Sequence, residues 1–299
     1  MTGATPPRPG VRFAARGHIR IAYVVTGPDD GDPGIPTVCF LHGLLLGRDT
    51  FAPVREGLAA HGPVRTIEID ARGHGASAAL TDRGYTMIDA AMETLAVLDR
   101  AGITVAHVVG HDLGGMSALV LTSLAPARVA SLTLVEPAVE ALLLASPDPA
   151  VRSRGEAVRR VRREIAEAAY KGLLDKALGR YAGERWGPAW KDEMSASQQA
   201  AIRRNAGALA SSLRALDDAS VAPTALANLH IPVTLVNRHA GSADDPMEAT
   251  LLTRWLPSAS MLRIEPTRCP RSRSAETPAT PSGKRCSRHC RARRNHCGE

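Results

Sequence analysis

The chain of 299 residues lacks any apolar run close to the roughly 18 residues that a bilayer-spanning helix needs. Its first segment, "MTGATPPRPGVRF", has Pro and Gly where an export signal would carry its apolar region. The glycine fingerprint of dinucleotide-binding proteins is also absent. We therefore expect a cytoplasmic protein that does not bind a membrane and needs neither a cofactor nor a metal ion.

Residues 267–299 contain no Val, Ile, Leu, Met, Phe, Tyr or Trp. Such a segment cannot bury enough apolar surface to offset its ordering entropy, so we predict a disordered tail. The tail also carries nine basic and two acidic side chains, which account for the whole net charge of +7. Because the rest of the chain is electrically neutral, we expect a small-molecule substrate and no nucleic acid as partner. Oligomeric state is not predicted.

Three interpretations of the tail remain open. It could be a basic arm for nucleic acid, or a metal knuckle, although its Cys and His spacings fit no standard zinc pattern. It could also be the out-of-frame translation of a GC-rich gene, which we favour because such frames yield Arg, Cys, Pro and Ser. The metal ligands would come from Cys286, His289, Cys290, His296 and Cys297.

Short β-rich segments alternate with helical ones from residue 10 to about 139, as in a parallel sheet with crossover helices. We predict an α/β fold, with a doubly wound and mostly parallel sheet. An edge hairpin should precede strands near 36–42, 64–70, 105–111, 129–135 and 231–237. Residues 140–221 read as an inserted helical cap, residues 222–266 as the second part of the core, and 267–299 as the tail.

The stretch "VVGHDLGG", residues 108–115, places Asp112 between Gly110 and Gly114 at a predicted strand-to-helix turn. A turn of the G-x-nucleophile-x-G type presents its central side chain above the sheet. At the start of a helix, backbone N–H groups also favour the anionic form of a carboxylate. Asp112 is therefore the candidate nucleophile, and a simple helix cap is the alternative.

Three segments carry a resemblance to a known family: "FLHG" (40–43), "DARGHGAS" (70–77) and "GHDLGG" (110–115). In order and spacing they resemble the α/β-hydrolase fold over residues 10 to about 266. An aspartate at the central turn further resembles the branch that holds epoxide hydrolases and haloalkane or haloacetate dehalogenases. The resemblance implies that Asp112 attacks a carbon atom and forms an ester, which water then hydrolyses with the help of a histidine and an acid.

The same resemblance assigns the oxyanion-binding N–H groups to Leu44 and Leu113. His42 and His74 are expected to brace the loops around the pocket. Asp70 and Arg72 are expected to form a structural pair beneath it.

Two locations compete for the acid that orients the histidine. One is the turn after the strand "IPVTLVNRH", where Asp244 and Asp245 fit the spacing. The other is Glu136, which ends the strand "SLTLVEP". We favour the Asp244 and Asp245 turn.

The substrate remains open among epoxides, haloalkanes or haloacids, and esters. Dehalogenases of this branch place halide donors where this chain has Leu44 and Leu113, so no halide site is evident. Epoxide hydrolases use cap tyrosines, and Tyr170 and Tyr181 lie in the predicted cap. On one continuous helix the two would be separated by roughly 16 Å of rise, so at most one could reach the site. Ordinary packing is the alternative role for both.

The family places its histidine just past the final core strand, but "ASMLRIEP" is followed here by Thr-Arg-Cys-Pro. Arg268, near the expected position, cannot accept a proton from water, although it could pair with Asp112. His289 and His296 lie among arginines with nothing to anchor them. We therefore predict a poor or inactive hydrolase, with a frameshift after about Pro266. An ester hydrolase and a non-catalytic relative are the alternatives.

Overall fold

The computed structural model describes residues 10–28, 34–80, 84–238 and 247–264. The chain divides into one unit of residues 1–265 and a second of residues 266–299. The second unit lies outside the described residues, and so does the predicted disorder of the tail. No helix in the described ranges combines the length and apolarity that a bilayer span requires.

An eight-stranded sheet organises the first unit, and its strand order is β1-β2-β4-β3-β5-β6-β7-β8. Strand β2 pairs in the antiparallel sense with β1 and with β4, and all other neighbouring strands in this order are parallel. The predicted edge hairpin and the mostly parallel α/β sheet are thus confirmed. The strands are β1 (Arg12–Arg16), β2 (Ile19–Thr26), β3 (Thr37–Leu41), β4 (Arg65–Ile69), β5 (Ala106–His111), β6 (Val129–Val135), β7 (Val233–Arg238) and β8 (Ala259–Ile264).

The helices fall into crossovers between strands and a helical segment between β6 and β7. The crossovers are α1 (Ala52–Ala59), α2 (Met87–Arg100), α3 (Leu113–Leu124) and α10 (Met247–Trp255). The helical segment contains α4 (Pro149–Tyr170), α5 (Leu174–Trp186), α6 (Trp190–Glu193), α7 (Ala196–Arg204), α8 (Leu209–Asp217) and α9 (Pro223–Ala227). Short 3₁₀ turns occupy Arg48–Phe51, Pro126–Arg128, Glu140–Ala145 and Ala206–Ala208.

Helix α3 is apolar on every side, because ten of its twelve residues are buried. It packs against α2 and against β3, β5 and β6. A helix that is hydrophobic all round belongs in the core rather than at the surface. Its first residue, Leu113, therefore starts deep in the protein, and the turn that precedes it is held from all sides.

The helical segment contacts the core helix α3 through α8. Helix α4 packs on α5, on α8 and on the turn Glu140–Ala145, while α8 also contacts α3. The chain breaks between α4 and α5, where Gly172 has a φ of +81°. The prediction of one continuous helix through residues 170 and 181 is therefore wrong, because a left-handed glycine ends α4 and lets the chain turn.

Candidate active site

Asp112 lies between the last residue of β5 and the first residue of α3. Its φ of 53° and ψ of −115° fall in a region that non-glycine residues rarely adopt. Such a conformation costs on the order of 1–3 kcal/mol and persists only where the surroundings enforce it. The Asp112 side chain makes no capping hydrogen bond to α3. The interpretation of Asp112 as a simple helix cap is therefore wrong.

Two glycines allow this turn to approach its neighbours closely. A Cβ at Gly114 would lie 2.1 Å from the carbonyl oxygen of Leu41. A Cβ at Gly43 would lie 2.9 Å from Nδ1 of His111 and 3.1 Å from Cβ of Asp112. At Gly114 the nearest atoms are backbone, so any other residue would displace the turn. At Gly43 the nearest atom belongs to the His111 side chain, which would have to move.

The carboxylate of Asp112 is held by backbone groups on one side. The N–H of Leu44 donates to Oδ2 of Asp112 at 2.9 Å, and the N–H of Leu113 helps to lower the pKa of the same carboxyl group. The sequence predicts these two N–H groups as an oxyanion site. In this structure the N–H of Leu44 holds an oxygen of the candidate nucleophile itself.

Arg185, near the end of α5, occupies the other side of the carboxylate. Its Nε lies 3.3 Å from Oδ1 of Asp112, and its Nη2 lies 3.6 Å from Oε2 of Glu136. Sequence analysis missed this residue, because it is one arginine among many in the helical segment and only the fold brings it to the site. Arg268, which we had considered for this pairing, lies outside the described residues.

Opposing effects act on the ionisation of Asp112. Burial raises its pKa, but Arg185, His111 and the N–H groups of Leu44 and Leu113 together outweigh burial and hold the pKa of Asp112 below its usual value. In return, Asp112 raises the pKa of the Arg185 guanidinium. The carboxylate is therefore ionised at neutral pH, as a nucleophile must be.

Backbone strain is concentrated around this carboxylate. Among the residues that the structure describes, the non-glycine residues with positive φ are Leu45 (66°), Asp112 (53°) and Glu136 (41°). They follow β3, β5 and β6, which are neighbours in the sheet. Strained residues of this kind cluster at functional sites, so their position supports the carboxyl ends of these strands as the candidate active site.

The turn of residues 110–114 around Asp112 is called the elbow. A cavity of about 290 Å³ opens beside the elbow. Its walls come from His111 and Glu136, from Arg185 and Trp186, and from Ile264 together with one valine each of β6 and β7. One wall is thus charged and the others are apolar. The volume lies at the lower end of the range for small-molecule sites, which is roughly 300–1,000 Å³.

His42 and His74 brace the surrounding loops, as predicted. Nε2 of His42 accepts from the N–H of Ala71 at 3.0 Å, and Nε2 of His74 accepts from the N–H of Leu45 at 3.0 Å. Their Nδ1 atoms face backbone carbonyl oxygens. Burial lowers the pKa of both rings, that of His74 to about 3. Both are therefore neutral structural groups.

The predicted pairing of Asp70 with Arg72 is wrong. Asp70 pairs with Arg48, whose N–H donates to Oδ1 at 3.1 Å and whose guanidinium contacts the same carboxylate. Arg72 reaches in another direction, where its Nε donates to Oε1 of Glu93 at 2.7 Å. The side chains of Asp70 and Arg72 point in different directions, and each pairs with a residue on a different element.

The two candidate tyrosines lie on different helices. Oη of Tyr170 lies 3.3 Å from Oγ of Ser211, a contact between α4 and α8. Tyr181, on α5 one turn before Arg185, is buried, and it interacts electrostatically with Asp112. Burial, reinforced by Asp112, raises the pKa of Tyr181 well above its usual value. Tyr181 is therefore a neutral phenol near the carboxylate.

Asp244 and Asp245 lie outside the described residues, as do His289 and His296. Glu136 is the acid candidate that the structure places at the site, through Arg185. Within the described ranges, no group of three His, Cys, Asp or Glu side chains is arranged to hold a metal ion.

Comparison with known proteins matches this architecture. The family model described as the alpha/beta hydrolase fold matches residues 36–185, which is half of the chain. The chain belongs to the α/β-hydrolase fold family. Several proteins to which the chain is similar are named as hydrolases.

Individual relatives match in part. A Variovorax paradoxus protein, whose name provisionally assigns it as the carbamate hydrolase RutD, is 39% identical over 113 residues, which cover 38% of this chain and 41% of the relative. A mouse sn-1-specific diacylglycerol lipase is 31% identical over 107 residues, 36% of this chain and 34% of the relative. The chain thus spans about two fifths or less of these relatives' length.

A solved structure extends the likeness of the fold along most of the chain. The enol-lactonase of Burkholderia xenovorans is 19% identical with a TM-score of 0.62, and the match covers 85% of this chain and 91% of that one. At this identity the likeness shows the fold alone.

Proposed function

We propose that Asp112 is the nucleophile of a hydrolase that forms an ester with a small apolar electrophile. The observation that carries this proposal is the unequal treatment of the two carboxylate oxygens. Oδ2 accepts from the N–H of Leu44 at 2.9 Å. Oδ1 faces Arg185, which lines the cavity. One oxygen is thus fixed by the backbone, and the other pairs with a side chain of the cavity wall.

This arrangement disfavours attack on a carbonyl carbon by another group at the elbow. In ester hydrolysis the oxyanion donors hold the oxygen of the substrate carbonyl. Here the N–H of Leu44 already holds Asp112. Attack by Oδ1 on a saturated carbon leaves this hydrogen bond in place, and the N–H groups of Leu44 and Leu113 then stabilise the oxyanion that forms when the Asp112 ester is hydrolysed.

An epoxide fits the site best among the substrates considered. Attack by Oδ1 on one ring carbon breaks its bond to the epoxide oxygen, and that oxygen needs a proton. Tyr181 is a neutral, buried phenol whose pKa is raised by burial and by Asp112, while Arg185 acts in the opposite direction and favours the phenolate that remains after proton transfer. Haloalkanes or haloacids would instead release a halide ion, and the N–H of Leu44 is already bonded to Asp112.

We also propose that residues 140–221 act as a cap over the nucleophile. Helix α5 belongs to this segment and supplies both Tyr181 and Arg185. Trp186, the last residue of the same helix, lines the cavity. A cap built this way would select the substrate, while the sheet edge supplies the nucleophile.

A non-catalytic or ester-hydrolysing relative is the second candidate. The ion pair between Arg185 and Asp112 favours a non-catalytic protein, because a paired carboxylate is a weaker nucleophile. The name of one partial relative, a diacylglycerol lipase, favours an ester hydrolase.

Intact-mass spectrometry separates these candidates. After incubation with styrene oxide or a haloalkane, we expect a covalent adduct on the wild-type chain that Asp112→Ala does not form. Asp99→Ala is the matched control, because the Asp99 side chain is 64% exposed and far from the turn in sequence. Equal labelling of wild type and Asp112→Ala would contradict the proposal. Turnover of p-nitrophenyl acetate without an adduct on Asp112 would favour the ester hydrolase.

A further inference from the structure

Three histidines lie around the elbow, and two of them are fully engaged. Both ring nitrogens of His42 face backbone groups, at Gly43 and Ala71. Both ring nitrogens of His74 do the same. A ring held at both nitrogens cannot take a proton from water without losing a hydrogen bond that braces a loop.

His111 differs from these two. Within the described part of the chain, its ring has no hydrogen-bond partner, and it lines the cavity of about 290 Å³. Its Nδ1 and the Cβ of Asp112 both lie near the point that a Cβ at Gly43 would occupy, at 2.9 and 3.1 Å. The ring is therefore beside the nucleophile and has access to space that water can enter.

The charges around His111 suit a base. Burial lowers the pKa of His111 below its usual value, so the ring is neutral at neutral pH. Asp112 and Glu136 act in the opposite direction and favour the protonated ring, while Arg185 and His42 disfavour it. Glu136 also lines the cavity, so the acid of the site lies near the ring that would become charged.

We propose that His111 is the general base that hydrolyses the ester on Asp112, with Glu136 stabilising the imidazolium that forms. This inference rests on the proposed function, because it concerns the second half of the same reaction. It assigns the role of the absent late histidine to a residue of the elbow itself.

A ring nitrogen of His111 takes one proton from a water molecule in the cavity, while the water oxygen bonds to Cγ of the Asp112 ester. The oxyanion that forms on Oδ2 is held by the N–H groups of Leu44 and Leu113. When it collapses, the bond between Cγ and the alkyl-bearing oxygen breaks, and the imidazolium returns its proton to the departing alkoxide. The products are the alcohol and the Asp112 carboxyl group, which releases the remaining water proton to solvent.

The experiment measures the two half-reactions separately on the full chain. Styrene oxide forms the adduct, the excess is removed, and intact-mass spectra follow the loss of the adduct with time. In His111→Gln we expect the adduct to form at a rate within about threefold of wild type. Its decay should be slower by a factor of about 100 or more, the scale of general-base catalysis. The matched control is His107→Gln, on the same strand, where Nδ1 contacts only Oγ of Ser131 at 2.8 Å. Its decay should match wild type.

Each further outcome decides between the two proposals. An adduct that decays equally fast in wild type and His111→Gln overturns the role of His111 and leaves the proposed function standing. Absence of any adduct on Asp112 overturns both. Slower decay in the double variant His289→Gln/His296→Gln, with His111 intact, also overturns the role of His111.

The pH dependence of the wild-type chain gives a reading that needs no variant. Decay through His111 should be constant from about pH 7 to 9, where the ring is neutral, and should fall at acid pH as the ring takes a proton. Decay that keeps rising with hydroxide concentration over that range would contradict the proposal.

Discussion

An interior strand and an edge strand of the parallel sheet, β3 and β8, differ in how completely they are buried. On β3, Cys39 and Phe40 are 0% exposed, and the N–H groups after this strand are committed to Asp112 and His74. On β8, by contrast, Leu262 is 52% exposed and Ile264 is 42% exposed. The nucleophile side of the site is thus closed and satisfied, while the side where the family resemblance expects the base remains open. Formation of the Asp112 ester needs only the nucleophile side, so it should be less impaired than a complete reaction that also needs a base from the β8 side.

The largest effect should follow from closing the space at the elbow. Gly114→Ala would place a Cβ 2.1 Å from a backbone carbonyl oxygen, which cannot move without distorting β3. We expect a loss of about 4 kcal/mol or more in the free energy of unfolding, the scale of exceptional single substitutions. Urea denaturation followed by circular dichroism measures it.

Gly179→Ala is the matched control for that substitution. Gly179 lies within α5, and a Cβ there would meet no atom within 4 Å. We expect a gain of up to about 1 kcal/mol, because Ala favours a helix over Gly. Equal losses in the two variants would remove the argument that the elbow needs its glycine.

A pair of leucines tests the contrast between the strands directly. Leu132 on β6 is 0% exposed, whereas Leu262 on β8 is 52% exposed. Leu132→Ala should cost about 3 kcal/mol of unfolding free energy through lost burial and a cavity, and Leu262→Ala less than about 1 kcal/mol. If Leu262→Ala costs as much as Leu132→Ala, β8 is covered in solution and the contrast fails.

A smaller effect is expected at the ion pair that links α5 to the elbow. Arg185→Met removes the main counter-charge of Asp112, so we expect a loss of about 2 kcal/mol, below the range for fully buried pairs because the Arg185 side chain is 25% exposed. Without Arg185, the pKa of Asp112 should rise. The ionised Asp112 stabilises the fold above the ordinary pKa of an aspartate, and this contribution is lost as pH falls through its lower folded value. In Arg185→Met, the loss should occur at higher pH.

Adduct formation gives a second reading of the same change. Because the carboxylate must be ionised to attack, the pH at which labelling by styrene oxide is half-maximal should move upward in Arg185→Met. Arg180→Met, on the same helix, is the control, because Arg180 pairs at the surface with Glu164 at 2.7 Å and its side chain is 41% exposed. A shift of the same size in both variants would show that Arg185 has no special effect on Asp112.

Local sequence signals were enough to predict the sheet, the edge hairpin and the elbow. The glycines around Asp112 and the β-rich runs are contiguous in sequence, so their spacing carries the information. Arg185 could not be predicted this way, because it is 73 positions from Asp112 and only the packing of α5 brings the two together. The break at Gly172 was missed for a related reason, since a single glycine is tolerated in many helices. The pairings of Asp70 and Arg72 depend on Arg48 and Glu93, which no pattern connects to them. The acid turn and the predicted frameshift concern residues outside the described ranges and stay predictions.

The most direct test of the account is a single turnover of styrene oxide in water enriched in ¹⁸O, with the enzyme in excess over substrate. If Oδ1 of Asp112 attacks carbon, the diol released in this turnover contains no ¹⁸O, because both its oxygens come from the epoxide and the enzyme. The label then appears in the peptide that contains Asp112, because water attacks Cγ of the ester. Label in the diol and none in that peptide would show that water attacks the substrate directly, and would contradict Asp112 as the nucleophile.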